Sequence, residues 1–185
     1  MKLPHAAALA LALSLSLLLG GCGYHLRKDL APPAGVRTVA VPTFANRTYQ
    51  PGLELPFTEQ LRGEMLKGKG VQVVADRGRA DAIVSGEVLS FRAVPTVLVT
   101  PPNFPQDRRL PTRYRAIVEV KVSLVSTGTG EVLWEDTLEG TEEFDAGVAA
   151  EGFEPLERDA QQRGAIAAIA QDLMREAYDR MMTDF

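Results

Sequence analysis

The chain has 185 residues, 20 of them Lys or Arg and 24 Asp or Glu, a net charge of −4 with histidine neutral. That balance excludes a general nucleic-acid binder, which needs surplus positive charge to meet phosphates. One cysteine and two histidines exclude a disulfide framework and a Cys/His zinc site, so the fold rests on its own apolar core, which a chain of this length can build.

The amino end is the most patterned stretch. Lys2 and His5 precede an apolar run from Ala6 to Leu19, and Leu19-Gly20-Gly21-Cys22 closes it. A charged start, an apolar middle and small residues before a cleavage point make a secretory signal. The run is shorter than the roughly 20 residues a bilayer span needs. Small residues abutting the lone cysteine make a lipobox, so Cys22 is expected to carry lipid. Two acyl chains give stable anchoring, at about 0.8 kcal/mol per buried methylene. Gly23, not Asp, follows the cysteine, which points to the outer membrane, with the protein lipid-anchored and facing the periplasm. The expected organisation is a signal peptide over 1–21, a lipidated tether over 22–35 containing Pro32, Pro33 and Gly35, and one domain over 36–185.

Val36 to Phe44 reads as a first strand, interrupted near its end by Pro42. A turn-rich loop over 46–56 leads to a helix over 53–67, in which Phe57, Leu61 and Met65 make one apolar stripe with Leu66 beside it. Gly68 and Gly70 stop it. Strands follow over 71–75 and 80–91. Then comes an apolar, proline-rich loop running to about Thr112, with Pro95, Pro101, Pro102, Pro105 and Pro111. Loops of such length are uncommon in compact domains and usually functional. Tyr114 to Leu124 alternates apolar and polar residues with period two, the mark of a half-buried strand. Thr127 to Gly130 turns the chain, and 131–144 returns antiparallel with Val132, Trp134 and Leu138 on one face. A closing helix over 155–182 carries Ile166, Ile169, Ala170, Leu173, Ala177 and Met181 as its stripe. The expected class is α+β: a two-layer α/β sandwich with an about four-stranded mixed sheet against two helices.

No catalytic constellation emerges. Past the cleavage point His25 is the one histidine, three residues from the anchor, so an enzyme is not expected, and neither a cofactor nor a metal is called for. Charge is uneven along the chain. Arg108, Arg109, Arg113, Arg115 and Lys121 cluster against Asp107 and Glu119, whereas residues 131–159 hold eleven acidic residues and one basic.

Several segments together resemble the lipopolysaccharide-assembly lipoprotein family LptE, in a divergent form. They are Gly21-Cys22-Gly23-Tyr24-His25-Leu26, Val41-Pro42-Thr43-Phe44-Ala45-Asn46-Arg47-Thr48, Pro51-Gly52-Leu53-Glu54, Ala80-Asp81-Ala82-Ile83-Val84-Ser85-Gly86-Glu87-Val88 and Thr129-Gly130-Glu131-Val132-Leu133-Trp134. The resemblance implies a non-enzymatic outer-membrane lipoprotein that plugs and helps assemble the LptD β-barrel. It also implies binding of lipopolysaccharide for delivery to the outer leaflet. Arg108, Arg109 and Arg113 are the candidate lipopolysaccharide-binding residues, and Val97, Val99 and Phe104 the candidate partner-binding loop residues. A competing reading is a peptidoglycan-synthase regulator like the LpoB family. Such proteins carry long tethers, whereas residues 22–35 span at most about 50 Å. A secretion-pore component related to CsgG would need more membrane-inserting hairpin than this chain offers.

Overall fold

The computed structural model describes residues 35–183 except 69, 101–104, 106–108, 147, 150, 151 and 154. Strands β1 (Thr38–Ala40) and β2 (Ala45–Asn46) are followed by helix α1 (Glu54–Lys67), β3 (Gln72–Val73), β4 (Ala82–Val99), β5 (Leu110–Ser126) and β6 (Val132–Asp145). A two-stranded hairpin of β7 (Val148–Ala149) and β8 (Gly152–Phe153) precedes the 29-residue helix α2 (Pro155–Thr183). The main sheet runs β3-β1-β4-β5-β6, with β2 also pairing β4. The β1, β2 and β3 pairings are parallel, and the long β4–β5 and β5–β6 pairings antiparallel. The α+β sandwich holds, with six strands in the sheet where about four were expected. The increment comes from short edge strands and from the split of the first strand in two.

Pro42 is the cause of that split. Six residues, from Ala40 of β1 to Ala45 of β2, pass five of β4, from Ile83 to Glu87, which makes a one-residue bulge. A bulge strands backbone groups, and helix α1 collects them. Thr58 Oγ1 accepts from the Phe44 amide at 3.0 Å, and Arg62 Nη2 donates to the Val41 carbonyl at 2.8 Å. Thr58 and Arg62 are four apart and so share a helix face. Thr58 is the one buried polar side chain among the described residues, and its own hydroxyl proton goes to the Glu54 carbonyl at 2.6 Å.

Phe44 then lies flat on β4. A Cβ at Gly86 would meet its ring at 2.1 Å, so residue 86 must be glycine for the ring to seat. The same device sets α2 on the sheet, where a Cβ at Gly140 of β6 would meet Ile169 Cγ2 at 2.7 Å. Both helices cover one sheet face. Phe57, Leu61 and Met65 of α1 are fully buried, and the α2 stripe from Ile166 to Met181 is buried. Val84, Val88, Ala116, Val118, Val120, Val122, Leu124, Trp134 and Leu138 complete the core from the sheet. Leu66 and Val132 do not join it. Leu66 lies off the stripe and is exposed, and Val132 lies beyond a bulge at Leu124/Val125, at the turn end of β6.

The chain's first described residues join the sheet at the end opposite to the tip of β4. Asp81 Oδ2 accepts from the Arg37 amide at 2.9 Å, the Thr38 amide at 2.8 Å and the Thr38 hydroxyl at 2.9 Å. From there β4 runs 18 residues, roughly 60 Å of extended chain at about 3.3 Å per residue.

Two predictions follow from this packing. Gly86→Ala should destabilise the domain by about 1–3 kcal/mol in urea denaturation, the scale of core overpacking. Gly128→Ala, in a turn with open space around it, should change stability far less. The Asp81 carboxyl is held below the usual carboxylate range by the Arg37 amide first, then by the Thr38 amide and hydroxyl. A depressed folded value contributes stability that is complete above the unfolded aspartate value of about 4 and is lost as pH falls through the folded one. The urea-midpoint gap between the native chain and Asp81→Asn should therefore be widest near neutral pH and close in acid.

Candidate functional site

The proline-rich stretch is not a loop for most of its length. Strand β4 continues through Val94, Pro95 and Val97 to Val99, and β5 begins at Leu110, so the two form a hairpin arm that outruns the rest of the sheet. Register shifts at Pro95/Val97 and Val97/Leu98 absorb the local irregularity. The β5–β6 register ends at Arg113↔Asp145, and one further bond runs from the Ala146 amide to the Thr112 carbonyl at 2.9 Å, so beyond Thr112 the arm has only two strands among the described residues. Among the described residues each then has a free edge, where proline's missing N–H costs no ladder bond.

The arm is apolar and exposed. Val94, Val97, Leu98 and Val99 are each 40–51% exposed, in one run along the strand. Isolated exposed apolar residues are ordinary, but a contiguous run of them marks a contact surface. Val97 pairs with Arg113, Leu98 with Pro111 and Val99 with Leu110. Arg109 is exposed immediately before β5. Of the other predicted site residues, Cys22, Phe104 and Arg108 lie outside the described residues.

The arm's root is fixed on both faces of the sheet. On the helix-bearing face, Tyr114 of β5 stacks on Phe144 of β6 with ring centroids 5.6 Å apart and planes 15° apart. The Arg158 guanidinium from the first turns of α2 caps the Tyr114 ring at 4.7 Å, a cation–π contact. On the open face, two arginines meet two carboxylates. Arg113 Nε lies 3.4 Å from Asp145 Oδ1 and its Nη1 3.8 Å from Glu143 Oε2. Arg115 Nη2 donates to Glu143 Oε1 at 2.9 Å. All four side chains are 41–69% exposed, and exposed ion pairs contribute only about 0–1 kcal/mol each.

The basic cluster and the acidic stretch are thus one feature in space. Arg113 stands against acid: charge counting registered Arg115, Glu143 and Asp145 but not their pairing across the strands, and it could not register the Tyr114–Phe144 stack. Period two places Arg113 with Arg115, and Glu143 with Asp145, on one face. Counting back from the Thr127–Gly130 turn fails to match the pairs, because the Leu124/Val125 bulge shifts the register by one residue and turns that face over.

Elsewhere, a cleft of about 470 Å³ opens between the first turns of α1 and α2, with Leu53, Leu55 and Ile166 beside Asp159 and Arg163. Among the described residues no group of His, Cys, Asp and Glu is placed to hold a metal ion. No described helix is long and apolar enough to cross a membrane. The site's chemistry is that of binding: an apolar hairpin, a cationic flank and carboxylates at its root.

Comparison with known proteins fits this geometry. No curated protein matches the chain. A PelC dodecamer from Paraburkholderia phytofirmans has a similar structure at 17% identity and a TM-score of 0.52, over 82% of this chain and 92% of that one. A hypothetical protein of Chlamydia trachomatis is similar at 10% identity and a TM-score of 0.51, over 81% and 99%. A homologue of a neuraminyllactose-binding hemagglutinin from Helicobacter pylori is similar at 9% identity and a TM-score of 0.51, over 87% and 90%. At these identities the likeness is one of fold. The model of the LptE lipopolysaccharide-assembly family matches residues 36–185, the whole folded domain with its arm, and the chain belongs to that family.

Proposed function

We propose that this protein is an outer-membrane lipoprotein that seats in the lumen of an LptD-type β-barrel and assists its assembly. On the same reading it binds lipopolysaccharide for delivery to the outer leaflet. The observation that carries this is the exposed arm, in which Val97, Val99 and their neighbours form an apolar hairpin flanked by Arg109 and Arg113. A phosphorylated glycolipid offers both chemistries that such an arm meets. Its acyl chains suit the valines, and its phosphates suit arginines through charge-assisted hydrogen bonds. The neighbouring Arg108 and Phe104 extend the same pattern in sequence.

The remaining parts follow from the amino end. Residues 1–21 are the signal peptide, Cys22 takes the lipid, and residues 22–35 tether the domain over 36–185 to the periplasmic face of the outer membrane. The chemistry is binding, with no catalytic residue, cofactor or metal assigned.

Two measurements test this. Solubilising membranes in mild detergent and capturing the lipoprotein should recover a large β-barrel protein with it; recovery of the chain alone counts against the plug. Replacing Arg108 and Arg109 together with Glu should leave the melting temperature nearly unchanged. It should weaken lipopolysaccharide binding roughly tenfold or more, the scale of one or two lost charge-assisted hydrogen bonds. Equal binding by that variant would remove the arginine assignment and leave the fold untouched.

A further inference from the structure

Two arginines at the root of the arm are already occupied. Arg113 faces Asp145 at 3.4 Å and Glu143 at 3.8 Å, and Arg115 faces Glu143 at 2.9 Å. These carboxylates stand at the end of β6, where the sheet hands over to the two-stranded arm. A phosphate that approaches the root of the arm meets guanidinium and carboxylate together.

We infer that Glu143 and Asp145 are specificity-determining competitors, which hold Arg113 and Arg115 until a more highly charged anion displaces them. This deepens the lipopolysaccharide reading and rests on it. First, the pairs are exposed, so each is weak enough to be exchanged. Second, guanidinium groups held by acidic partners are already ordered, which lowers the ordering cost of a later contact. Third, the carboxylates repel any incoming anion. A ligand gains only the surplus of its own attraction over theirs, so a multiply charged headgroup is admitted where a singly charged one is not. The Tyr114–Phe144 stack and the Arg158 cap hold the opposite face of the root, so exchange on the open face need not move the arm.

Other acidic residues of the same strand supply the control. Glu135 pairs with Lys121 at 2.9 Å near the far end of β6, and Glu139 lies between the two sites. Glu135→Gln with Glu139→Gln removes the same charge as Glu143→Gln with Asp145→Asn, but away from the arm.

The test is binding of the full-length, detergent-solubilised chain to two probes, lipid A with two phosphates and lipid A with one. The native chain should favour the two-phosphate probe. E143Q/D145N should bind the one-phosphate probe about three- to tenfold more tightly, the scale of a few exposed ion pairs removed. It should gain less for the two-phosphate probe, so that the preference narrows. E135Q/E139Q should change neither. Unchanged or weaker binding by a folded E143Q/D145N chain, with native binding intact, overturns the competition alone. An equal gain in E135Q/E139Q also overturns it, by reducing the effect to net charge. No binding of either probe by the native chain overturns the lipopolysaccharide reading and the competition with it.

Discussion

The bulge at Pro42 is the constraint on which the rest of the architecture depends. Proline cannot donate to a ladder, so the strand breaks between β1 and β2, and its freed groups need partners. Thr58 and Arg62 of α1 provide them, which places the helix against the break. The offset also turns Phe44 onto β4, where only Gly86 leaves room for the ring. One residue's missing N–H thereby sets where α1 sits and which residue β4 carries beneath the aromatic ring. The loop that follows is held by the same region. Asn46 donates to Glu54 Oε2 at 2.9 Å and accepts from the Thr48 amide at 2.9 Å, and Arg47 pairs with Glu87. Segments 41–48 and 80–88, which carry the family resemblance, are therefore two halves of one joint.

The arm is a different kind of structure, built to be left over. Its strands lie past the last β5–β6 pair; its β4 side chains from Val94 to Val99 are exposed and Leu110 to Thr112 of β5 are half-buried, whereas both strands bury alternate residues deeper in the sheet. A two-stranded ribbon is marginal alone. This one continues a broad sheet, and its root is clamped by aromatic stacking on one face and ion pairs on the other. Rigidity at the root with apolar exposure at the tip suits a part that enters a partner without rearranging. The root is also where the charges of two strands cancel, so the local field is much weaker than the run of arginines implies.

What was legible follows from burial. Period two over 114–124 and the α2 stripe stand out because each element has one face in the core, and the side-chain pattern reports that face directly. The helix boundaries of α1 were legible from Gly68, whose amide closes the last turn on Glu64 at 3.0 Å. The arm was hidden because prolines normally exclude strands, and here they stand where a strand has no outer neighbour. The arginine–carboxylate pairs were hidden for another reason. Their residues lie about thirty positions apart in sequence, and one bulge alters the count between them. Val97 and Val99 were readable as exposed apolar residues, but not as part of a strand.

The opposed placement of Asp81 and the arm tip gives the molecule an axis. The amino-terminal side joins the sheet beside Asp81, and the valine-rich tip lies at the other end of the same continuous strand. A force or restraint applied at residue 35 reaches the tip through one hydrogen-bonded sheet. The protein behaves as a probe with a handle: whatever holds the handle sets both the direction and the depth to which the tip can reach.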